Sequence, residues 1–119
     1  MKKKLDELLG QLVKLHPKYI DLSLNRLLKL LEKIQNPHLN LPPIIHIAGT
    51  NGKGSTLSYI RNILMENNLK IHTYISPHLK KFNERIILSN KEIKNTKLIN
   101  TLKFIKKINN NNPITFFEI

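Results

Sequence analysis

Apolar and polar positions follow two rhythms along this chain, a helical one toward both ends and a shorter, β-branched one in the middle. Leu5, Leu8, Leu9, Leu12 and Leu15 recur at helical spacing, which predicts an amphipathic helix over residues 4–15. The His16-Pro17 pair ends it. A second helix is predicted over residues 23–34, with Leu24, Leu27, Leu28, Leu31 and Ile34 as its apolar face and Asp21 or Ser23 as its N-cap. After Pro42-Pro43 the rhythm changes. Ile44-Ile45-His46-Ile47 is a short β-branched run of the kind that fills a strand buried on both faces of a parallel sheet. Leu57, Ile60, Ile63 and Leu64 then return to helical spacing, in a helix expected to stop near Asn67-Asn68, and residues 70–75 read as a second strand. Strand, helix and strand make a βαβ unit, whose crossover is expected to be right-handed and whose strands are therefore expected to be parallel. Residues 85–88 predict a short strand, Ser89-Asn90-Lys91 a turn, and residues 96–108 a helix with Leu98, Leu102, Ile105 and Phe104 turned inward and Asn95 as its cap. Beyond the loop at 109–113, Thr115 and Glu118 occupy the N-cap and N3 positions of a capping box, the signal that opens a helix. The expected class is α/β, a parallel βαβ core preceded by two helices.

Chemistry concentrates between the first predicted strand and its helix, in Ala48-Gly49-Thr50-Asn51-Gly52-Lys53-Gly54-Ser55-Thr56. The first amides of a helix have no carbonyl four residues back, so they point outward and, with the helix dipole, favour an anion. Gly49, Gly52 and Gly54 lack a Cβ and allow the turn to close around phosphate oxygens. Lys53 adds a mobile positive charge suited to β- and γ-phosphates, and Ser55 or Thr56 offers a hydroxyl for a phosphate or a magnesium ion. The common P-loop pattern fits imperfectly: Ile47 stands at its first glycine, and Gly54 follows the lysine where Ser or Thr is usual.

Composition narrows the partners. A formal net charge of +12 invites a nucleic-acid reading, but the basic residues are mostly lysines scattered among asparagines and isoleucines, with only Arg26, Arg61 and Arg85 able to make forked contacts. Neither nucleic acid nor a membrane is expected as the main partner. Without cysteine there is no disulfide frame or thiolate metal site. The first lysines are followed by Asp6 and Glu7 and by an amphipathic pattern, so the start does not read as a signal peptide, and cytoplasm is the simplest compartment.

The string GTNGKGST, residues 49–56, resembles the P-loop of the Mur ligase superfamily, and its Gly54-Ser55 ending is similar to the folate branch, dihydrofolate synthase/folylpolyglutamate synthase. Four further motifs follow in that branch's order. HPKYIDLSLNR (16–26) and NPHLNLP (36–42) resemble the segments that lead to the first strand. Ser76-Pro77-His78-Leu79 with Phe82-Asn83-Glu84-Arg85-Ile86 resembles the loop after the second strand, and Thr115-Phe116-Phe117-Glu118 a motif opening the next helix. The resemblance implies an incomplete P-loop domain of Mur ligase type, with residues 1–119 the N-terminal part of the ATP-binding domain. It implies that Gly49, Thr50, Asn51, Gly52, Lys53, Gly54 and Ser55 bind ATP, with Lys53 catalytic, and that Ser76 is a magnesium ligand. It also implies that Asp21, Leu22, Ser23, Thr115, Phe116, Phe117 and Glu118 line a pterin site. On the residues alone, Ser76-Pro77 reads as an ordinary turn, the two phenylalanines as core, His78 as structural, and Glu84-Arg85 as an exposed pair or an anchor for its loop.

The function so implied is an ATP-dependent ligase that adds L-glutamate to dihydropteroate, to folates, or to both, through an acyl phosphate, monomeric in its full-length form. At 119 residues the chain is too short for that complete enzyme, and a helix start one residue before Ile119 suggests truncation. Alone, it is expected to lack ligase activity. A stand-alone nucleotide-binding or interaction module is the alternative.

Overall fold

Leucine spacing sets the first layer of the structure, a computed structural model that describes residues 1–16 and 23–119. The elements are α1 (Lys2–Val13), α2 (Asn25–Lys33), a 3-10 turn (Pro37–Asn40), α3 (Lys53–Glu66), β1 (Thr73–Tyr74), a second 3-10 turn (Phe82–Arg85), β2 (Ile86–Leu88), β3 (Lys91–Glu92) and α4 (Asn95–Asn109). They fall into two compact units, Met1–Pro42 with Asn95–Ile119, and Pro43–Lys94.

The first unit is helical. Leu5, Leu8 and Leu12 of α1 are buried, and α4, which packs against both α1 and α2, buries Leu98, Ile99 and Leu102. Leu12 and Ile114 are wholly enclosed. On α2 the predicted face is corrected. Leu30 is the buried residue, whereas Leu24 and Leu28 are 61% and 50% exposed. Leu27, Leu31 and Ile34 are half-buried, so the inward stripe is 27, 30, 31 and 34. Leucines cover so much of this short helix that the pattern alone fits two stripes, and contact with α4 selects one. Phe104 is likewise corrected: it is 56% exposed on α4.

The second unit holds α3 and a three-stranded sheet in the order β1-β2-β3, antiparallel throughout, with Thr73 opposite Ile87 and Ile87 opposite Glu92. The hairpin turn is Ser89-Asn90, shorter by one residue than the predicted Ser89-Asn90-Lys91, because Lys91 pairs with Leu88 and opens β3. Ser89 and Asn90 both have positive φ, 47° and 67°, the geometry whose twist matches antiparallel strands. Asn90 also clamps the segment before β1: its amide donates to the Ile71 carbonyl, its Oδ1 accepts from the Ile71 amide at 3.0 Å, and its Nδ2 donates to the Leu69 carbonyl. From α3, Arg61 Nη2 donates to the Asn90 carbonyl at 3.0 Å, which ties helix to hairpin.

The parallel βαβ core is not formed among the described residues. Residues 44–47 adopt no strand, and Ile44 and Ile45 are 70% and 60% exposed rather than buried on two faces. A strand exists only through a ladder, and β1, its expected parallel neighbour, pairs with β2 alone. Helix α3 correspondingly buries no residue completely, and Ile63 is exposed.

Candidate functional site

Two of the three loop glycines use the backbone freedom expected of them, and the third, Gly54, lies within α3 without positive φ. Gly52 is the N-cap of α3 at φ 74°, where a side chain would be strained, and Gly49 also has positive φ. A Cβ at Gly52 or Gly54 would meet nothing within 4 Å, so the loop faces open space. Among the described residues, Thr56 is the first past Gly49 whose amide finds a protein acceptor, the Gly52 carbonyl at 2.9 Å. Among the described residues the amides from Thr50 to Ser55 have no protein acceptor, as expected of a helix start. Lys53 folds back along the loop, its Nζ donating to the Gly49 carbonyl at 2.6 Å and to the Thr50 carbonyl at 3.2 Å. That places an ammonium group beside the unpaired amides. Of the two candidate hydroxyls, Thr56 Oγ1 donates to the Gly52 carbonyl at 2.9 Å.

The loop at 76–85 is held by its own carboxylate. Glu84 accepts the amides of Leu79 at 2.8 Å, Lys80 at 3.1 Å and Lys81 at 3.0 Å. The Leu79 amide first, with those of Lys80 and Lys81, keeps the Glu84 carboxyl below its ordinary range. Arg85 Nε donates to His78 Nδ1 at 2.8 Å, its guanidinium lies 5.3 Å from the centre of the Phe82 ring, and Nη1 is 3.4 Å from Ser76 Oγ. Glu84 and Arg85 are therefore anchors, and His78 is a structural acceptor. Ser76 presents one hydroxyl next to a cationic side chain. Among the described residues there is no group of three or more His, Asp or Glu side chains that could hold a metal ion.

In the helical unit three of the predicted pterin-site residues come together around a fourth that the sequence reading did not assign. Thr115 and Glu118 form the predicted capping box, with the Thr115 amide donating to Glu118 Oε2 at 2.7 Å and the Glu118 amide donating to Thr115 Oγ1 at 3.3 Å. Arg26 grips the same carboxylate in a fork, Nη2 to Oε1 at 3.1 Å and Nε to Oε2 at 3.3 Å, while Nη1 donates to Ser23 Oγ at 2.8 Å. Burial pushes the Glu118 carboxyl up, but the Thr115 amide and hydroxyl and the Arg26 guanidinium outweigh it and hold the group below its ordinary range. Ser23 is thus an acceptor for Arg26 and not the cap of α2, whose N-cap is Leu24 with no side-chain bond. Phe116 is half-buried and Phe117 is 62% exposed, so Phe117 is not core. Asp21 and Leu22 lie outside the described residues. A carboxylate at N3 of a capping box that is to be buried needs a cation, and with three arginines in the chain Arg26 was open to discovery on that ground.

Among the described residues no helix is long and apolar enough to cross a membrane. No protein-family model matches the sequence. The dihydrofolate synthase/folylpolyglutamate synthase of Haemophilus influenzae is 37% identical over 114 residues, 96% of this chain and 26% of the relative. Among solved structures, Escherichia coli FolC in complex with DHPP and ADP superimposes with a TM-score of 0.81 at 32% identity, over 96% of this chain and 27% of that one. The bifunctional folylpolyglutamate synthase/dihydrofolate synthase of Yersinia pestis CO92, complexed with AMPPNP and Mn ion, gives 0.82 at 31% identity, over 96% and 28%. The chain spans about a quarter of the length of these relatives. Sequence and backbone agree over nearly all of its residues, and the chain belongs to the dihydrofolate synthase/folylpolyglutamate synthase family of ligases.

Proposed function

We propose that this chain carries the phosphate-gripping and pterin-facing segments of an ATP-dependent ligase that joins L-glutamate to dihydropteroate, to folates, or to both. Residues 1–119 would form part of the ATP-binding domain, with the remainder of the catalytic machinery supplied by the portion of the family fold that this chain does not span. In the reaction, a substrate carboxylate oxygen attacks the γ-phosphorus of ATP, ADP leaves, and the amine of glutamate then displaces phosphate from the acyl carbon to form the amide. The chain's own contribution is electrostatic. Amides from Thr50 to Ser55 and the Lys53 ammonium meet charge spread over the transferring phosphoryl group and hold it in line. A divalent ion would arrive on the nucleotide phosphates, with Ser76 as the hydroxyl this chain offers it.

The observation that carries the reading is the row of unpaired loop amides beside the Lys53 ammonium, 2.6 Å from the Gly49 carbonyl. Isothermal titration of the chain with MgATP tests it. A saturable heat is expected, weakened by roughly tenfold or more in Lys53→Ala, since one charge-assisted contact is lost, with no change in melting temperature. Absence of binding by the unaltered chain, or equal binding by the variant, would refute the reading. Ligase turnover is expected only with the rest of the fold present. A second reading, which the same loop amides and Lys53 would serve equally, is a nucleotide-binding module without ligase activity. A separately made polypeptide carrying the rest of the fold restores turnover under the first and not under the second.

A further inference from the structure

Arg26 lies in the first turn of α2, yet its guanidinium reaches a carboxylate 92 positions away in sequence. That carboxylate, Glu118, is 7% exposed in its side chain, and it closes the capping box whose N-cap, Thr115, is 2% exposed. The same guanidinium holds Ser23 by both its hydroxyl, at 2.8 Å, and its backbone carbonyl, at 3.3 Å. A continuous path of hydrogen bonds thus runs from Ser23 through Arg26 and Glu118 to the amide of Thr115. Only a planar fork with several donors can serve both segments at once; a lysine ammonium is a point charge and would have to choose. The aromatic pair Phe116-Phe117 sits between the two ends of the capping box, so the grip on Glu118 also fixes how that turn displays Phe117, which is 62% exposed.

We propose that Arg26 is a positioning residue for the pterin-bearing substrate: by locking Ser23 and the 115–118 turn into one rigid unit it presets the surface that receives the ring. The inference rests on the ligase reading for the identity of the ligand, but its geometry lies wholly in the helical unit, whereas Lys53 and its loop belong to the other. Preorganisation lowers the ordering cost of binding, so loss of the fork weakens binding without removing a contact to the ligand. Nucleotide affinity is untouched.

The test uses the whole chain, dihydropteroate followed by its fluorescence, MgATP followed by titration calorimetry, and the variants Arg26→Lys and Arg26→Gln. The unaltered chain is expected to bind both ligands. Arg26→Lys, which keeps the charge, is expected to weaken dihydropteroate binding by about fivefold and Arg26→Gln by about tenfold, with MgATP binding unchanged within about twofold. Wild-type affinity for dihydropteroate in a folded Arg26→Lys variant overturns the proposal. So does parallel loss of both ligands and of the melting transition, which would make Arg26 a purely structural brace. If the unaltered chain binds MgATP but not dihydropteroate, the positioning role falls and the nucleotide reading stands. If it binds neither, the ligase reading itself has failed.

Discussion

Replacing Arg26 by methionine keeps the length and much of the apolar stem of the side chain while removing the guanidinium. Glu118 then keeps the Thr115 amide at 2.7 Å but loses both prongs of the fork, and its side chain is 7% exposed. Breaking a fully buried ion pair costs about 3–5 kcal/mol because the survivor stays charged in a poor solvent. Arg26 is 21% exposed, so water recovers part of that, and about 2–3 kcal/mol is the expected loss. Against a total stability of about 5–15 kcal/mol for a typical domain this is a large share. Urea unfolding followed by circular dichroism measures it, as a lower midpoint at unchanged slope. A cycle with Glu118→Gln isolates the pair and is expected to return a coupling of about 1–3 kcal/mol. Acid gives an independent check. The Glu118 carboxyl is held below its ordinary 4.5 in the folded chain, so the stability it contributes is full above that value and disappears as pH falls through the lower, folded-state value. The gap between wild type and Arg26→Met should therefore narrow in that acid range. A loss under about 0.5 kcal/mol, the range of ordinary surface changes, or a gap indifferent to acid, would refute the reasoning.

Asn90 separates two roles by substitution. Asn90→Gly tolerates φ 67° but deletes the side-chain bonds to Leu69 and Ile71, costing about 1–2 kcal/mol, and Asn90→Ala adds the left-handed strain, a further ~1 kcal/mol; equal effects of the two by urea titration would show that the backbone shape is irrelevant. Glu84 governs the order of its loop. Because the carboxyl titrates below 4.5, exchange protection of the Leu79, Lys80 and Lys81 amides should hold above that pH and fall away beneath it, whereas Glu84→Gln should lose the dependence; an acid response surviving in the variant contradicts the anchor.

What could be read from the sequence was what is decided locally. The helices follow from leucine spacing, the β2-β3 turn from Ser89-Asn90, the capping box from Thr115 and Glu118, and the loop shape from Gly49 and Gly52. What escaped depends on distant partners. Ile44-Ile45-His46-Ile47 has the composition of a buried strand, but composition does not supply the neighbour that would bury it. Leu30 escaped because the choice of stripe on α2 belongs to α4. Arg26 escaped because its partner lies at the opposite end of the chain and no short motif joins them. The clamp made by Asn90 was hidden behind an ordinary turn residue for the same reason.

The uncovered isoleucines ahead of the glycine loop carry a practical consequence. Branched aliphatic side chains standing in water on a stretch whose main chain belongs to no sheet offer one molecule a template for another. Concentrated or warmed preparations of this polypeptide should self-associate through that stretch first, and a lysine in place of Ile45 should keep molecules apart without disturbing either compact unit.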